Sequence, residues 1–175
     1  PAGDRLVFAS NRQGDRRGRI YTTPATDKER PANMVYDELT LGKDPDWLPS
    51  QDLLVLKGCD DRGLNCGLYT MGADGSNRTI FTNVPSGSMP RWLPDGSGIV
   101  FMSEGRDGNW EIYRAGNDGA VTRLTNDGAP DGLPAVSPDG SQIAFISKRG
   151  GAWGLWVMPA NGGAATQITA IAGEL

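Results

Sequence analysis

The chain has 175 residues, 38% of them apolar and 22% charged, with 25 Gly and 12 Pro and a formal net charge of −4. That length carries one sizeable core, the Gly and Pro content describes a turn-rich chain, and the acidic balance excludes the basic footprint of a nucleic-acid binder. The complete absence of histidine excludes Ser-His-Asp and Cys-His nucleophiles, histidine metal ligands and imidazole bases.

Four kinds of short segment recur along the chain. The first unit opens with Leu6-Val7-Phe8-Ala9, followed by Ile20-Tyr21 and by Glu38-Leu39-Thr40. The second begins at Pro45-Asp46-Trp47-Leu48-Pro49 and continues through Leu53-Leu54-Val55-Leu56, Leu68-Tyr69 and Thr79-Ile80-Phe81. The third runs from Pro90-Arg91-Trp92-Leu93-Pro94-Asp95-Gly96 to Ile99-Val100-Phe101-Met102, Ile112-Tyr113 and Arg123-Leu124-Thr125. The fourth holds Pro134-Ala135-Val136-Ser137-Pro138-Asp139-Gly140, Ile143-Ala144-Phe145-Ile146, Leu155-Trp156 and Gln167-Ile168-Thr169. The Pro-x-Trp-type segments lie 45 and 44 residues apart, so the chain is four copies of one unit.

Each segment is short, rich in β-branched and aromatic residues, and bounded by Gly, Pro, Asn or Asp, which is the signal of a strand rather than a helix. Seven Asp-Gly dipeptides, at Asp74, Asp95, Asp107, Asp118, Asp127, Asp131 and Asp139, read mostly as tight turns. Four antiparallel strands repeating every 40 to 50 residues are the signature of a propeller blade. The expected fold is therefore all-β, a β-propeller of four consecutive blades at approximately 1–43, 44–88, 89–132 and 133–175. The nearly unbroken apolar run of strand two expects burial on both faces, and Trp47 and Trp92 are expected between adjacent blades.

These residues also carry a family resemblance. Ser103-Glu104-Gly105-Arg106-Asp107-Gly108-Asn109-Trp110-Glu111-Ile112-Tyr113, then Asn117-Asp118-Gly119, Arg123-Leu124-Thr125 and Ser137-Pro138-Asp139-Gly140, resemble the TolB-type propeller repeat. That family includes the WD-like "Pro-Asp" repeats of bacterial surface and sensor proteins, and the resemblance covers essentially the whole chain. It departs from the pattern at Val136, which replaces the Trp, at Leu48-Pro49-Ser50, which replaces Ser-Pro-Asp-Gly, and at Lys57-Gly58, where a Ser is expected. The resemblance implies a non-catalytic recognition scaffold, the sensor or interaction part of a longer bacterial protein. Similar propellers also gate prolyl-oligopeptidase-like serine peptidases, whose triad lies on a separate α/β-hydrolase domain absent from this segment; a rigid spacer in a surface protein is a third reading.

Pro1 to Phe8 aligns without gaps on Pro138 to Phe145, which expects the chain to start just after a first strand. The segment is then a partial ring, or half of a ring closed by dimerisation, and open blade edges would support self-association. Cys59 and Cys66 flank the turn between strands two and three of the second unit and either form a disulfide across it or remain two free thiols. Two Cys without His or further Cys make no metal site. The Asp-rich stretches around Arg106-Asp107-Gly108-Asn109 and Asn126 to Asp131 lack the twelve-residue spacing and terminal Glu of a calcium loop.

No cofactor fingerprint is present, and no apolar run approaches the ~18 residues of a membrane helix. A disulfide would place the chain in an oxidising compartment, the periplasm or the cell surface. Loops between strands two and three are net basic, and they open on the same side as the connections into strand one. Candidate contacts for a protein or peptide partner are therefore Asp44, Asp46, Arg91 and Asp131 near the channel, with Arg16, Arg17, Arg62, Arg106 and Arg149 on the rim.

Overall fold

A computed structural model describes residues 3–26, 31–36, 41–60, 62–105 and 108–171. Among the described residues, fifteen strands and one short 3-10 turn at Pro49–Gln51 make up the regular structure. The strands form four antiparallel sheets with strictly sequential order: β1-β2-β3, β4-β5-β6-β7, β8-β9-β10-β11 and β12-β13-β14-β15. Each sheet is a propeller blade built by neighbouring strands, with no crossover. Among the described residues no helix is long and apolar enough to cross a membrane. The chain divides into two compact units, Pro1–Pro90 and Arg91–Leu175.

In the first unit, β1 (Arg5–Ser10) pairs with β2 (Arg19–Pro24), which pairs with β3 (Asn33–Tyr36). The outer strand of this blade thus lies upstream of the expected Glu38-Leu39-Thr40 segment, which falls outside the described residues. The next blade holds β4 (Leu41–Leu48), β5 (Leu53–Cys59), β6 (Gly67–Gly72) and β7 (Thr79–Thr82). Ile20 of the first blade packs with Leu54, Leu56, Tyr69 and Met71 of the second, and Val7, Val35 and Trp47 close over them. Trp47 therefore sits where two blades meet. Its ring is covered by the Arg5 guanidinium at 4.3 Å, and Asp52 accepts hydrogen bonds from both the Trp47 indole (3.2 Å) and Arg5 (2.8 Å). The blades approach closely at Gly42, whose N–H donates to the Gly18 carbonyl at 2.8 Å; a Cβ at Gly18 would lie 2.7 Å from the Gly42 oxygen.

In the second unit, β9 (Gly98–Ser103), β10 (Glu111–Gly116) and β11 (Val121–Arg123) follow β8 (Ser88–Trp92), whose last residues belong to this unit. The last blade is β12 (Asp131–Val136), β13 (Gln142–Ser147), β14 (Gly154–Pro159) and β15 (Thr166–Ala170). Leu93, Val100, Ile112, Ile143, Phe145, Met158 and Ala160 form one buried cluster between these blades.

The register explains two of the recurring segments. The aromatic of strand two faces the aromatic of strand three directly across the ladder: Phe8 with Tyr21, Phe101 with Tyr113, Phe145 with Trp156. The first two pairs are stacked with centroids 5.8 and 5.7 Å apart. Cross-strand aromatic pairs are a unit of sheet stabilisation, so three of the blades carry the same staple, while the β4–β7 blade pairs Leu56 with Tyr69 at that place.

The turns between strands one and two, or three and four, share one construction. The carboxylates of Asp74, Asp95, Asp118 and Asp139 each accept from the backbone N–H two residues on, at 2.9 to 3.0 Å. The glycine between them adopts positive φ, from 72° at Gly140 to 88° at Gly75, a region a side chain would resist. Asp139 also accepts from the Ser137 and Ser141 hydroxyls at 2.6 and 2.8 Å, and these bonds hold its carboxyl at about 2, below the ordinary 3.8. Hydrogen bonds lower Asp74 and Asp95 in the same direction. A depressed carboxylate contributes stability that is present above its unfolded value and lost as pH falls through its folded value. Thermal melts are therefore expected to fall as pH drops from 3.8 to about 2. Asp139→Asn should flatten that slope; an unchanged slope would contradict the assignment.

Cys59 and Cys66 form a disulfide that closes the loop between β5 and β6. Asp60 organises the same loop, accepting from the backbone N–H groups of Arg62 (3.1 Å) and Leu64 (2.7 Å) and from the Asn65 amide (2.7 Å). Reduction is expected to cost roughly 2–3 kcal/mol on the chain-entropy account. Urea unfolding with and without reductant measures it.

Candidate functional site

The richest concentration of built features lies in the second unit, where β12 begins beside the loop between β13 and β14. Its sequence origin is the Asp131-Gly132-Leu133-Pro134 run. Asp131-Gly132 does not form a turn, unlike the Asp-Gly pairs above; Asp131 is the first residue of β12 and is fully buried. The strand then bulges between Gly132 and Ala135, with Leu133 at φ 52°. Asp44 and Met89 occupy the same place before a proline, at φ 52° and 51°, and β4 bulges there too, between Lys43 and Asp46. Each such non-glycine residue costs on the order of 1–3 kcal/mol unless its surroundings over-determine it, and bulges of this kind re-aim side chains. Here the bulge turns Leu133 outward, leaving it 47% exposed, while its N–H donates to the Met102 sulfur at 3.4 Å.

Asp131 and Arg149 form a partly buried ion pair, Oδ2 of the carboxylate accepting from Nη2 of the guanidinium. Arg149 is held from three more directions. Its Nε and backbone N–H both donate to the Ser147 hydroxyl, at 3.0 and 3.1 Å, and its guanidinium lies 5.1 Å from the Phe145 ring and 5.3 Å from that of Trp156. Arg12 repeats this in the first blade, donating twice to Ser10 at 3.3 Å and covering Phe8 and Tyr21 at 5.0 and 4.6 Å. The Phe-x-Ser-x-Arg spacing is thus a device that seats a cation over the aromatic staple at the loop end of a blade.

Beside the pair is a cavity of about 150 Å3 lined by Met102, Trp110, Pro130, Asp131, Gly132, Leu133, Ile146 and Trp153. The other carboxylate oxygen of Asp131, Oδ1, is buried without a hydrogen-bond partner among the described residues. Beneath this wall, Glu111 is fully buried and accepts from Thr125 Oγ1 (2.5 Å), Arg123 Nη2 (2.6 Å), the Asp127 N–H (3.1 Å) and the Asn109 amide (3.2 Å). Asn109 also donates to the Asp127 and Ala129 carbonyls, at 2.8 and 3.1 Å, so this connection into β12 is shaped by one polar network.

The other sequence candidates are dispersed. Asp44 accepts from the Met89 N–H at 3.4 Å, Asp46 lies in β4 opposite Val55, and Arg91 lies in β8. Arg16 and Arg17 are exposed in the β1–β2 loop, and Arg62 is exposed in the disulfide-closed loop. Arg106 lies outside the described residues. Arg19, from the same basic loop, turns inward and is buried against Asp15 through two hydrogen bonds of 2.8 and 2.6 Å.

Residues 80–174 match the TolB beta propeller domain. The chain belongs to the TolB β-propeller family. Among solved structures, a protein assigned as TolB from Agrobacterium tumefaciens aligns over 97% of this chain and 62% of its own, with a TM-score of 0.83 and 23% identity. TolB from Acinetobacter baumannii aligns over 95% and 41%, with a TM-score of 0.76 and 23% identity. A puromycin hydrolase aligns over 96% and 29%, with a TM-score of 0.68 and 20% identity. This TolB-type chain therefore spans less than two thirds of these proteins, and at such identities the likeness shows the fold alone. No curated protein sequence matches it significantly.

Within the TolB-type repeat, the cavity adds two residues that the motif reading did not single out. Trp110 and Trp153 stand two residues before Ile112-Tyr113 and Leu155-Trp156, the same place in two successive units. Large aromatic residues inside loops otherwise made of Gly, Arg, Asp and Asn were the available signal.

Proposed function

We propose that this chain is a non-catalytic recognition scaffold that binds through the loop ends of the blades in each unit, where the strand-two to strand-three loops and the connections into strand one come out. The observation that carries this reading is the cavity beside Asp131 and Arg149, an apolar recess at the loop end of the second unit. Concave apolar sites with few convergent polar groups are the usual form of a binding site. The partner is a protein or peptide, and in the first unit the exposed Arg16, Arg17 and Arg62 are its candidate contacts. The Cys59–Cys66 disulfide supports an extracytoplasmic setting, since such bonds persist in oxidising compartments. The peptidase-gating reading rests on fold likeness of the kind the puromycin hydrolase shows, and no feature of this chain's own residues favours it.

Photo-crosslinking residues placed at Arg62 and Trp153 should capture an envelope partner, whereas the same residues at the opposite turns, Asp95 and Asp139, should not. Reversing Arg16, Arg17 and Arg62 to Glu should weaken that capture and leave the melting temperature alone. Equal capture at both ends, or an unchanged capture after reversal, contradicts the proposal.

A further inference from the structure

We infer that Lys43 and Lys57, opposed across the β4–β5 ladder in the first unit, are the seat for one side-chain carboxylate, a glutamate or aspartate presented by the partner polypeptide; this rests on the loop ends being the recognition surface. The register sets the two lysines directly opposite each other, at the end of the ladder where β4 enters and β5 leaves for the disulfide-closed loop. Directly opposed residues of an antiparallel pair project from the same face, with Cβ atoms about 4.5–5.5 Å apart. Like charges in that arrangement destabilise the pair, and an anion held between the two ammonium groups removes the repulsion. Lys43 is exposed and Lys57 is half-buried, so an incoming carboxylate meets one ammonium in solvent and the other against the sheet.

The charge of the cluster selects the occupant. Its third member is Asp44, the residue after Lys43, set on the bulge at φ 52° with Oδ2 accepting from the Met89 N–H at 3.4 Å. Burial holds the Lys57 amine below its ordinary 10.5; the Asp44 carboxylate draws it back up and the Lys43 ammonium presses it further down. Two ammonium groups against one carboxylate leave the cluster one positive charge in excess, and one further carboxylate brings it to zero. A phosphate group, at roughly −1.5 to −2, overshoots that balance and faces Asp44. A cationic side chain would add a third positive charge, and a chain of net charge −4 repels a nucleic acid. The exposed Arg16 and Arg17 come to the same place, because the carbonyl of Gly18 accepts from the N–H of Gly42, one residue before Lys43. Their charges extend the positive field around the seat, whereas the nearby Asp15 is already bound to Arg19.

The seat is tested on the 175-residue chain with acetylated, amidated Gly-Glu-Gly as the probe, reading the Cε–Hε signals of Lys43 and Lys57 by NMR. The matching Gln peptide is the control; an acetylated Gly-Gln-Gly with a free C-terminus and inorganic phosphate are the rival anions. The Glu peptide should move both lysine signals saturably and bind about tenfold tighter than the Gln peptide, the factor one charge-assisted hydrogen bond supplies. Lys43→Gln should remove most of that preference without lowering the melting temperature, since it also relieves the like-charge pair. Lys57→Gln should do the same; should it fail to fold, Lys43→Gln and the probe comparison in the unaltered chain still decide. Equal binding of the Glu and Gln peptides, a shift at Lys43 with none at Lys57, or tighter binding of the free C-terminus or of phosphate each overturns the side-chain carboxylate assignment. The crosslinking pattern is independent of these probes: capture confined to the loop end with no preference for the Glu peptide rejects the seat alone, and binding of the Glu peptide with equal capture at both ends rejects the recognition reading.

Discussion

Glu111→Ala is expected to destabilise the second unit by about 3–5 kcal/mol, among the largest effects of any single change. The carboxylate has no exposed surface and four partners. Removing it takes the carboxylate from Arg123, whose side chain is only 29% exposed and whose Nε keeps its bond to the Thr125 carbonyl, and frees the Thr125 hydroxyl and the Asp127 N–H in the same step. Coulomb attraction is not the main loss. The cost of a broken buried pair lies in the uncompensated charge and unpaired donors left behind, which is why replacing both partners is cheaper than replacing one. Glu111→Leu combined with Arg123→Leu should therefore recover part of the stability lost in Glu111→Leu alone. Urea unfolding of the four variants, treated as a double-mutant cycle, measures the coupling. If the single and double variants lose equal stability, the network is not what holds the connection from β11 to β12.

That network also shows where sequence reading stops. The period and the Pro-Asp-Gly and Ile-Tyr segments located nearly every strand, because turn chemistry and cross-strand burial are both local properties written in adjacent residues. The orientation of single side chains around irregular backbone is not local. The sequence pattern places Asp131 both near the channel and in an Asp-Gly turn; it begins β12 and is buried, and the bulge after Gly132 changes which side chains face in. The loop position of Arg149 expects a rim cation, and in the structure Ser147, Phe145, Trp156 and Asp131 hold it in place. Arg19 and Arg16 come from one basic run, yet Arg19 begins β2 and is buried with Asp15 bound to it, while Arg16 stays exposed in the loop. Trp110 and Trp153 carried a readable signal in their matched positions. Their closeness to Met102 and Leu133 did not, since it depends on how two blades pack.

Phe145→Ala should match Glu111→Ala in size for a different reason, and should reach the site as well as the core. Phe145 is fully buried in the cluster with Val100, Ile112, Ile143 and Met158, where removing a ring leaves a cavity the flanking strands cannot close. Such truncations cost about 3–5 kcal/mol. The same ring is one of the two faces under the Arg149 guanidinium. Its loss removes a cation–π contact of roughly 0.5–1 kcal/mol and loosens Arg149, which Ser147, Trp156 and Asp131 still hold. Phe145→Leu separates the two consequences, because it keeps most of the volume and removes the π face. The leucine variant should unfold with a much smaller loss than the alanine variant, yet show the same change in the Arg149 Nε–H NMR signal. A signal that moves only in the alanine variant would mean that packing alone, without the ring face, positions the guanidinium. The distinction bears on the site, since the wall that Asp131 gives the recess depends on Arg149 staying where the Phe-x-Ser-x-Arg spacing puts it.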